Sequence, residues 1–236
     1  MKTHRFYVSE TIRNTNQVRI VSAEVVDQTM RVLKIKPGRE IIIFDNTGFD
    51  YEVVIIGYDN YTILGEIKKK SVNKVLPKIE VHLFASIVKK SNFEWIVEKA
   101  TELGVSSITP IISARSEKKD LNMERLKKIS IEASEQSGRG TLPTINEIMD
   151  FEDSLACAKE KNGAMLVAFH TEGEALKNED LQGDGETVSA FVGPEGGWTP
   201  EEIEMFHKNN ILVRNMGPQV LRAETAVVAA LSKLVF

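Results

Sequence analysis

The sequence predicts an α/β protein in two parts, a small β-rich unit followed by a larger one built on a largely parallel sheet. Three observations carry this. Short strand-like runs separated by turn residues fill the first 67 positions. From Lys78 onward, apolar strand-like runs alternate with amphipathic helical ones. Near the C-terminus two strands each end in a Gly-Pro turn that leads directly into a helix.

Taken in order, Arg5-Phe6-Tyr7-Val8 reads as a strand. Ser22 reads as the N-cap of a helix to about Leu33, with Val25, Val26, Met30 and Leu33 on one face, ended by Lys36-Pro37-Gly38. Strands follow over residues 40–44, 51–56 and 61–67, with turns at Asp45-Asn46-Thr47-Gly48 and Asp59-Asn60. Strands of this length and spacing predict a small barrel. Residues 68–77 carry charge, Ser, Asn and Pro without an apolar period and read as a linker. The expected domains are therefore 1–73 and 74–236.

In the second domain, residues 79–85 read as a strand. Ser91 is expected to cap the next helix with Glu94 completing a capping box, Phe93, Ile96, Val97 and Ala100 forming the buried stripe and Gly104 ending it. A strand over 106–112, a charged helix over 121–137, a break at Gly138-Arg139-Gly140, a helix over 151–161 and a strand over 164–170 follow. Residues 171–187 read as a polar, acidic loop. The last helix, about 222–234, is apolar nearly all round and is expected to be buried on most sides, within its own domain or at a subunit interface.

The stretch Phe191-Val192-Gly193-Pro194-Glu195-Gly196-Gly197-Trp198-Thr199-Pro200-Glu201-Glu202 draws most attention. Thr199 suits an N-cap, Pro200 the first helical position, and Glu202 completes a capping box. Such a turn exposes backbone N–H groups at the carboxyl end of a sheet, where ligands bind in α/β folds. It has neither the Gly-Lys-Ser/Thr nor the G-x-G-x-x-G pattern of phosphate loops, and a tight turn without a ligand remains an alternative. Asn215-Met216-Gly217-Pro218-Gln219-Val220-Leu221-Arg222-Ala223-Glu224-Thr225-Ala226 repeats the logic, so the two turns can form two walls of one pocket.

Composition bounds the rest. The 236 residues are 42% hydrophobic and 27% charged, enough for a substantial core. One cysteine, Cys157, excludes a disulfide framework and fits a reducing cytosol. No signal-like N-terminal run and no membrane-spanning stretch is visible, so a cytoplasmic protein without membrane contact is expected. His4, His82, His170 and His207 lack metal-ligand spacing, and no metal is expected. Net charge is −4, but residues 1–39 balance to +5 and residues 171–206 to −9. The basic end reads either as phosphate-binding or as simply solvated.

Gly193-Pro194-Glu195-Gly196-Gly197 followed by Met216-Gly217-Pro218-Gln219-Val220-Leu221-Arg222-Ala223-Glu224-Thr225-Ala226 resembles the signature pair of the bacterial 16S rRNA (uridine-N3) methyltransferases of the SPOUT superfamily. Glu98-Lys99-Ala100-Thr101-Glu102-Leu103-Gly104-Val105, Arg115-Ser116-Glu117, Glu135-Gln136-Ser137-Gly138-Arg139 and Arg5-Phe6-Tyr7 extend the likeness over nearly the whole chain. Met216, Gln219 and Ala223 stand at variable or substituted positions of the family pattern, and Val32-Leu33-Lys34 replaces a run ending in Arg.

The resemblance implies a deeply knotted C-terminal α/β domain that binds S-adenosylmethionine, a PUA-like β-barrel N-terminal domain that helps hold RNA, and a homodimer with its site at the subunit interface. The partner implied is 16S rRNA within the small ribosomal subunit, and the reaction is methylation of N3 of one uridine. By position, Gly193, Pro194, Glu195, Gly196, Gly197, Met216, Gly217, Val220 and Leu221 are assigned to the donor's pocket. Arg222 and Glu224 are the catalytic candidates: Arg222 to hold the base's carbonyl oxygens or a phosphate, Glu224 to orient or deprotonate N3–H. An acid in a helix's first turn is also favourable through the dipole alone. Arg5, Arg31, Lys34, Arg115 and Arg139 are the RNA-contact candidates, or else surface ion pairs. Trp198 reads either as a platform for a base or as a packed helix-start residue. Two other functions stay open, a transfer-RNA methyltransferase and a non-catalytic RNA-binding module for ribosome assembly. The intact glycines speak against the latter, which would be free to lose them.

Overall fold

The computed structural model describes residues 3–13, 16–59, 61–75, 77–116, 120–161, 164–177, 180 and 187–235. Asn60 of the second predicted turn, Glu117 of the Arg-Ser-Glu motif and most of the acidic loop after residue 177 lie outside these residues. The chain divides into two compact units, Met1–Leu76 with Ser134–Leu142, and Pro77–Ala133 with Pro143–Phe236.

The first unit is a curled five-stranded sheet. Its strands are β1 (Arg5–Tyr7), β2 (Gln17–Ile20), β3 (Glu40–Phe44), β4 (Phe49–Asp59) and β5 (Thr62–Val72), in the order β1-β3-β4-β5-β2. Only the β1–β3 pairing is parallel. Phe6, Ile41, Ile43, Val53, Ile55 and Ile63 alternate along the strands and fill its core. Helix α1 (Ala23–Asp27) passes into a wider π-type turn at Gln28–Val32, and Lys34 then takes a left-handed conformation, φ 50°. Ser22 precedes α1 as expected but makes no side-chain cap bond.

The expected linker at 68–77 is largely strand. β5 continues through Lys68, Lys69 and Lys70 to Val72, paired there with β4. β2 begins at Gln17, the partner of Glu66, so among the described residues this half of β5 pairs with β4 alone and its lysines face water, as an edge strand tolerates. Ser134–Leu142 also belongs to this unit. There Arg5 donates to both carboxylate oxygens of Asp50 at 2.9 Å and to the Arg139 carbonyl at 2.8 Å. The Asn73 amide bridges Asp50 and the Gly138 carbonyl.

The second unit is a parallel sheet covered by helices on both faces. Its elements are β6 (Glu80–Ser86), α2 (Lys90–Glu102), β7 (Ser107–Ile112), α3 (Met123–Ser137), β8 (Thr144–Ile145), β9 (Met149–Asp150), α4 (Phe151–Lys159), β10 (Met165–Ala175), β11 (Thr187–Val192), α5 (Pro200–Lys208), β12 (Leu212–Asn215) and α6 (Ala223–Val235). The order is β12-β10-β11-β6-β7-β8, with β9 also on β7 and every pairing parallel. Period-two alternation explains both faces. Val81, Leu83, Val188, Ala190 and Val167 meet α2, α3 and α6 on one side. Phe84 and Phe191, cross-strand partners with rings 4.7 Å apart, meet Phe151 of α4 and Phe206 of α5 on the other.

Helix α2 begins two residues earlier than its sequence suggests. Lys89 occupies the N-cap without a side-chain cap bond, so Ser91 is inside the helix and Glu94 lies near Arg125 at 3.6 Å instead of closing a capping box. The box at Thr199 forms as expected, with the Thr199 side chain on the Glu202 N–H and Glu202 on the Thr199 N–H. Among the described residues no helix is long and apolar enough to cross a membrane.

Candidate functional site

Strand β10 lies between β12 and β11, so the carboxyl ends of β10, β11 and β12 are neighbours. Ligands in open α/β sheets bind beyond such carboxyl ends. Here they open into a cavity of about 980 Å³. Its walls are the turn after β11, the turn after β12 with the start of α6, and the outer half of β10. All nine residues assigned from the sequence to the donor's pocket line it: Gly193, Pro194, Glu195, Gly196, Gly197, Met216, Gly217, Val220 and Leu221.

The first turn is shaped by its own chain. Trp198 is buried, 2% exposed, with its indole N–H donating to the Phe169 carbonyl at 3.0 Å and its ring packed on Phe151 and Phe206. It is a packing residue and not a platform open to a base. A Cβ at Gly193 would stand 3.1 Å from that indole, so Gly193 makes room for Trp198. A Cβ at Gly196 would stand 3.1 Å from the Arg115 side chain, whose guanidinium donates to the Gly196 carbonyl at 2.6 Å. Gly197 has φ 67°, in the left-handed region that favours glycine, and closes a tight turn onto the Pro194 carbonyl at 2.9 Å. Two of the three glycines thus leave room for neighbouring side chains of the chain itself.

The second turn is looser. Gly217 has φ 139°, and its N–H donates to the Asn215 side chain at 3.2 Å. Val220 is 83% exposed at the rim. The lining passes from Leu221 to Ala223 and Ala226, leaving Arg222 and Glu224 beside the cavity rather than in it. Arg222 is exposed. Glu224 is half-buried in the first turn of α6, and its Oε2 is buried without a hydrogen-bond partner among the described residues. An unpaired buried acceptor costs about 1–3 kcal/mol, a cost that a donor from outside the chain would remove.

The third wall holds residues that spacing could not bring together. After a bulge, β10 continues beside β12, with Glu174 opposite Arg214. His170, Glu172 and Glu174 of this strand, His207 of α5 and Arg214 of β12 all line the cavity. Arg214 is paired in fork geometry with Asp180, both bonds at 2.9 Å, and this holds the Asp180 carboxyl at about 2, well below its ordinary value. Of the scattered histidines, His170 and His207 thus share one cavity, and a histidine closing an apolar strand is a faint signal of that. Among the described residues no three His, Cys, Asp or Glu cluster as a metal site.

The RNA-contact candidates separate. Arg31, ion-paired with Asp27 at 2.9 Å, and Lys34 stand exposed at the end of the first helix. Arg115 lies on the cavity wall. Arg5 and Arg139 are engaged within the chain. Arg5 is engaged with Asp50 as described, and Arg139 is 3% exposed, bonded to the Thr141 carbonyl, and lowered to about 10 by burial. Both side chains bond within the first unit, where Arg5 reaches the Arg139 carbonyl and Arg139 the Thr141 carbonyl.

Comparison with known proteins agrees with this arrangement. The RNA methyltransferase domain family matches residues 75–235. The ribosomal RNA small subunit methyltransferase E of Aquifex aeolicus is 32% identical over 98% of this chain and 98% of its own length. That of Rickettsia conorii is 30% identical over 99% and 96%. The crystal structure of the Neisseria gonorrhoeae ribosomal RNA small subunit methyltransferase E, bound to S-adenosyl methionine, matches with a TM-score of 0.88 at 26% identity, covering 99% of this chain and 97% of that one. The chain belongs to the RNA methyltransferase domain family, alongside the ribosomal RNA small subunit methyltransferases E.

Proposed function

We propose that this protein transfers the methyl group of S-adenosylmethionine to N3 of one uridine in 16S rRNA, within the small ribosomal subunit, in the cytoplasm. The observation that carries the reading is the meeting of both Gly-Pro turns on one large cavity at the carboxyl ends of β10, β11 and β12, in a chain of this family. Its volume of about 980 Å³ lies at the upper end of the ~300–1,000 Å³ range of small-molecule sites. Met216, Leu221, Ala223 and Ala226 offer an apolar wall for an adenine, and Glu172 and Glu195 offer carboxylates to ribose hydroxyls and a sulfonium. These residues fit the donor.

When bound, the donor supplies an electrophilic methyl group on a positively charged sulfur. The chain's work is to hold the acceptor nitrogen in line with it and to deal with the N3 proton. In this reading Glu224 takes that proton on the oxygen that meets no donor among the described residues. Arg222, one residue from the cavity wall, holds a uracil carbonyl oxygen or the neighbouring phosphate. Arg31, Lys34 and Arg115 contact the RNA backbone.

The same reading makes the inserted strand β11 part of a deep trefoil knot, the first unit a PUA-like barrel that holds RNA, and the protein a homodimer. A closing helix as apolar as α6, with Val228 and Ala229 left half-exposed, supports the dimer.

The test is methyl transfer from labelled donor to small subunits taken from cells lacking the protein, with the label mapped by nuclease digestion and mass spectrometry. Label at N3 of a single 16S uridine is expected. Donor binding without label on subunits would redirect the assignment to transfer RNA. Glu224→Gln should lower kcat by about 10²–10⁴-fold, with donor affinity kept within about twofold.

A further inference from the structure

We propose that Glu202 is a positioning residue for the donor site, acting through a closed ring of hydrogen bonds that fixes the turn after β11 against the loop after β7. The proposal rests on the donor-binding reading above and adds a residue to it that does not line the cavity.

Glu202 is a carboxylate only 5% exposed, in the first turn of α5. Its two oxygens do different things. Oε2 accepts from the Thr199 N–H at 2.8 Å, which is the ordinary work of a capping box. Oε1 reaches out of the helix and accepts from the Ala114 N–H at 2.8 Å, 88 residues away in sequence. A capping box needs only the first bond, so the second needs a separate reason.

That reason is the next residue. Arg115 follows Ala114, and its Nη1 donates to the Gly196 carbonyl at 2.6 Å and, more weakly, to the Trp198 carbonyl at 3.4 Å. The peptide joining Trp198 to Thr199 is therefore held at both ends. Its carbonyl faces Arg115 and its N–H faces Glu202, and the two holders are tied together through Ala114. The ring runs from Glu202 to Ala114, along the chain to Arg115, across to Trp198, through one peptide to Thr199, and back to Glu202.

Both ends of the ring are prepared locally. The Ser116 hydroxyl accepts from the Ser113 N–H at 3.1 Å, and the Ser116 N–H donates to the Ser113 carbonyl at 3.0 Å, so the loop carrying Arg115 is itself a closed turn. On the other side, Gly196 leaves the space in which the Arg115 stem lies. An arginine stem has many rotamers and costs entropy to order. Fixing the backbone on either side of it removes part of that cost in advance. Preorganisation of this kind appears in affinity for the ligand the turn binds.

The experiment is a double-mutant cycle on the full chain, read by calorimetric titration with S-adenosylmethionine. Glu202→Gln keeps the shape but turns one acceptor into an NH2 facing an N–H, opening the ring. Arg115→Ala opens it on the opposite side. Each should weaken donor affinity by about tenfold, and the double variant should lose no more than about twofold beyond the larger single loss. Thr199→Ala removes a side-chain cap bond but leaves every bond of the ring. It should lower Tm while donor affinity stays within about twofold of wild type. This separates positioning from mere helix stability.

Losses that add in the double variant, to about a hundredfold, would overturn the coupling while leaving donor binding intact. Wild-type affinity in Glu202→Gln would do the same. A wild-type chain that does not bind the donor would overturn the donor reading, and this inference with it.

Discussion

The two Gly-Pro turns look alike as sequence and are held in opposite ways. The turn after β11 is over-determined by its own chain: an indole lies under Gly193, an arginine stem lies on Gly196, and a capped helix follows at once. The turn after β12 has few such constraints. A Cβ at Gly217 would meet only the end of the Gln219 side chain at 3.5 Å, Val220 stands in solvent, and a buried oxygen of Glu224 has no partner among the described residues. One wall of the cavity is therefore built before anything binds. The other presents groups whose partners come from elsewhere.

The comparison can be broken at its strongest point first. Trp198→Ala removes the buried floor of the first turn and should cost about 3–5 kcal/mol in a denaturant titration, as large aromatic truncations do. A cost below about 1 kcal/mol would mean the turn does not depend on its indole. Gly193→Ala asks the same indole to move by a few tenths of an ångström. It should cost about 1–3 kcal/mol and weaken donor binding, measured by unfolding and titration together.

The wall formed by β10 and β12 should respond to pH. Arg214 holds Asp180 at about 2, against an ordinary carboxyl of 3.8. A lowered folded-state value means stability that is fully present above pH 3.8 and disappears as pH falls towards 2. Solvent screens the pair, so the expected loss is at most about 1 kcal/mol across that window, and Asp180→Asn should abolish that part of the acid dependence. Smallest of all, Val220→Ser should change stability by less than about 0.5 kcal/mol, because the side chain it replaces is already in water.

What the residues disclosed and what they concealed follow a physical line. Local signals were legible. Thr199, Pro200 and Glu202 spell a helix start that forms as written, and the alternation of strands and helices from residue 78 gives the parallel sheet. Signals that depend on distant context were not. The lysines at 68–70 break the apolar pattern because that half of β5 has a single neighbour, so charge there reports an edge and not a linker. Ser91 is a good cap residue inside a helix that starts at Lys90, since tertiary packing of Phe93, Ile96 and Val97 outweighs about 1 kcal/mol of capping. Arg5 and Arg139 read as cationic surface, yet they are spent on Asp50 and on backbone carbonyls. His170 and His207 share a cavity only because β10 and α5 end near each other.

The fit of Gly193 against Trp198 and of Gly196 against Arg115 bears on how this protein's descendants would be read. A lineage that gave up methyl transfer but kept this fold would still gain by keeping both glycines, because a methyl group at either position presses on a neighbouring side chain regardless of any ligand. Their retention therefore records architecture as well as activity, and intact glycines weigh less against a silent paralogue. Drift in a lineage freed from catalysis would show first at Glu224, whose buried oxygen has no partner among the described residues.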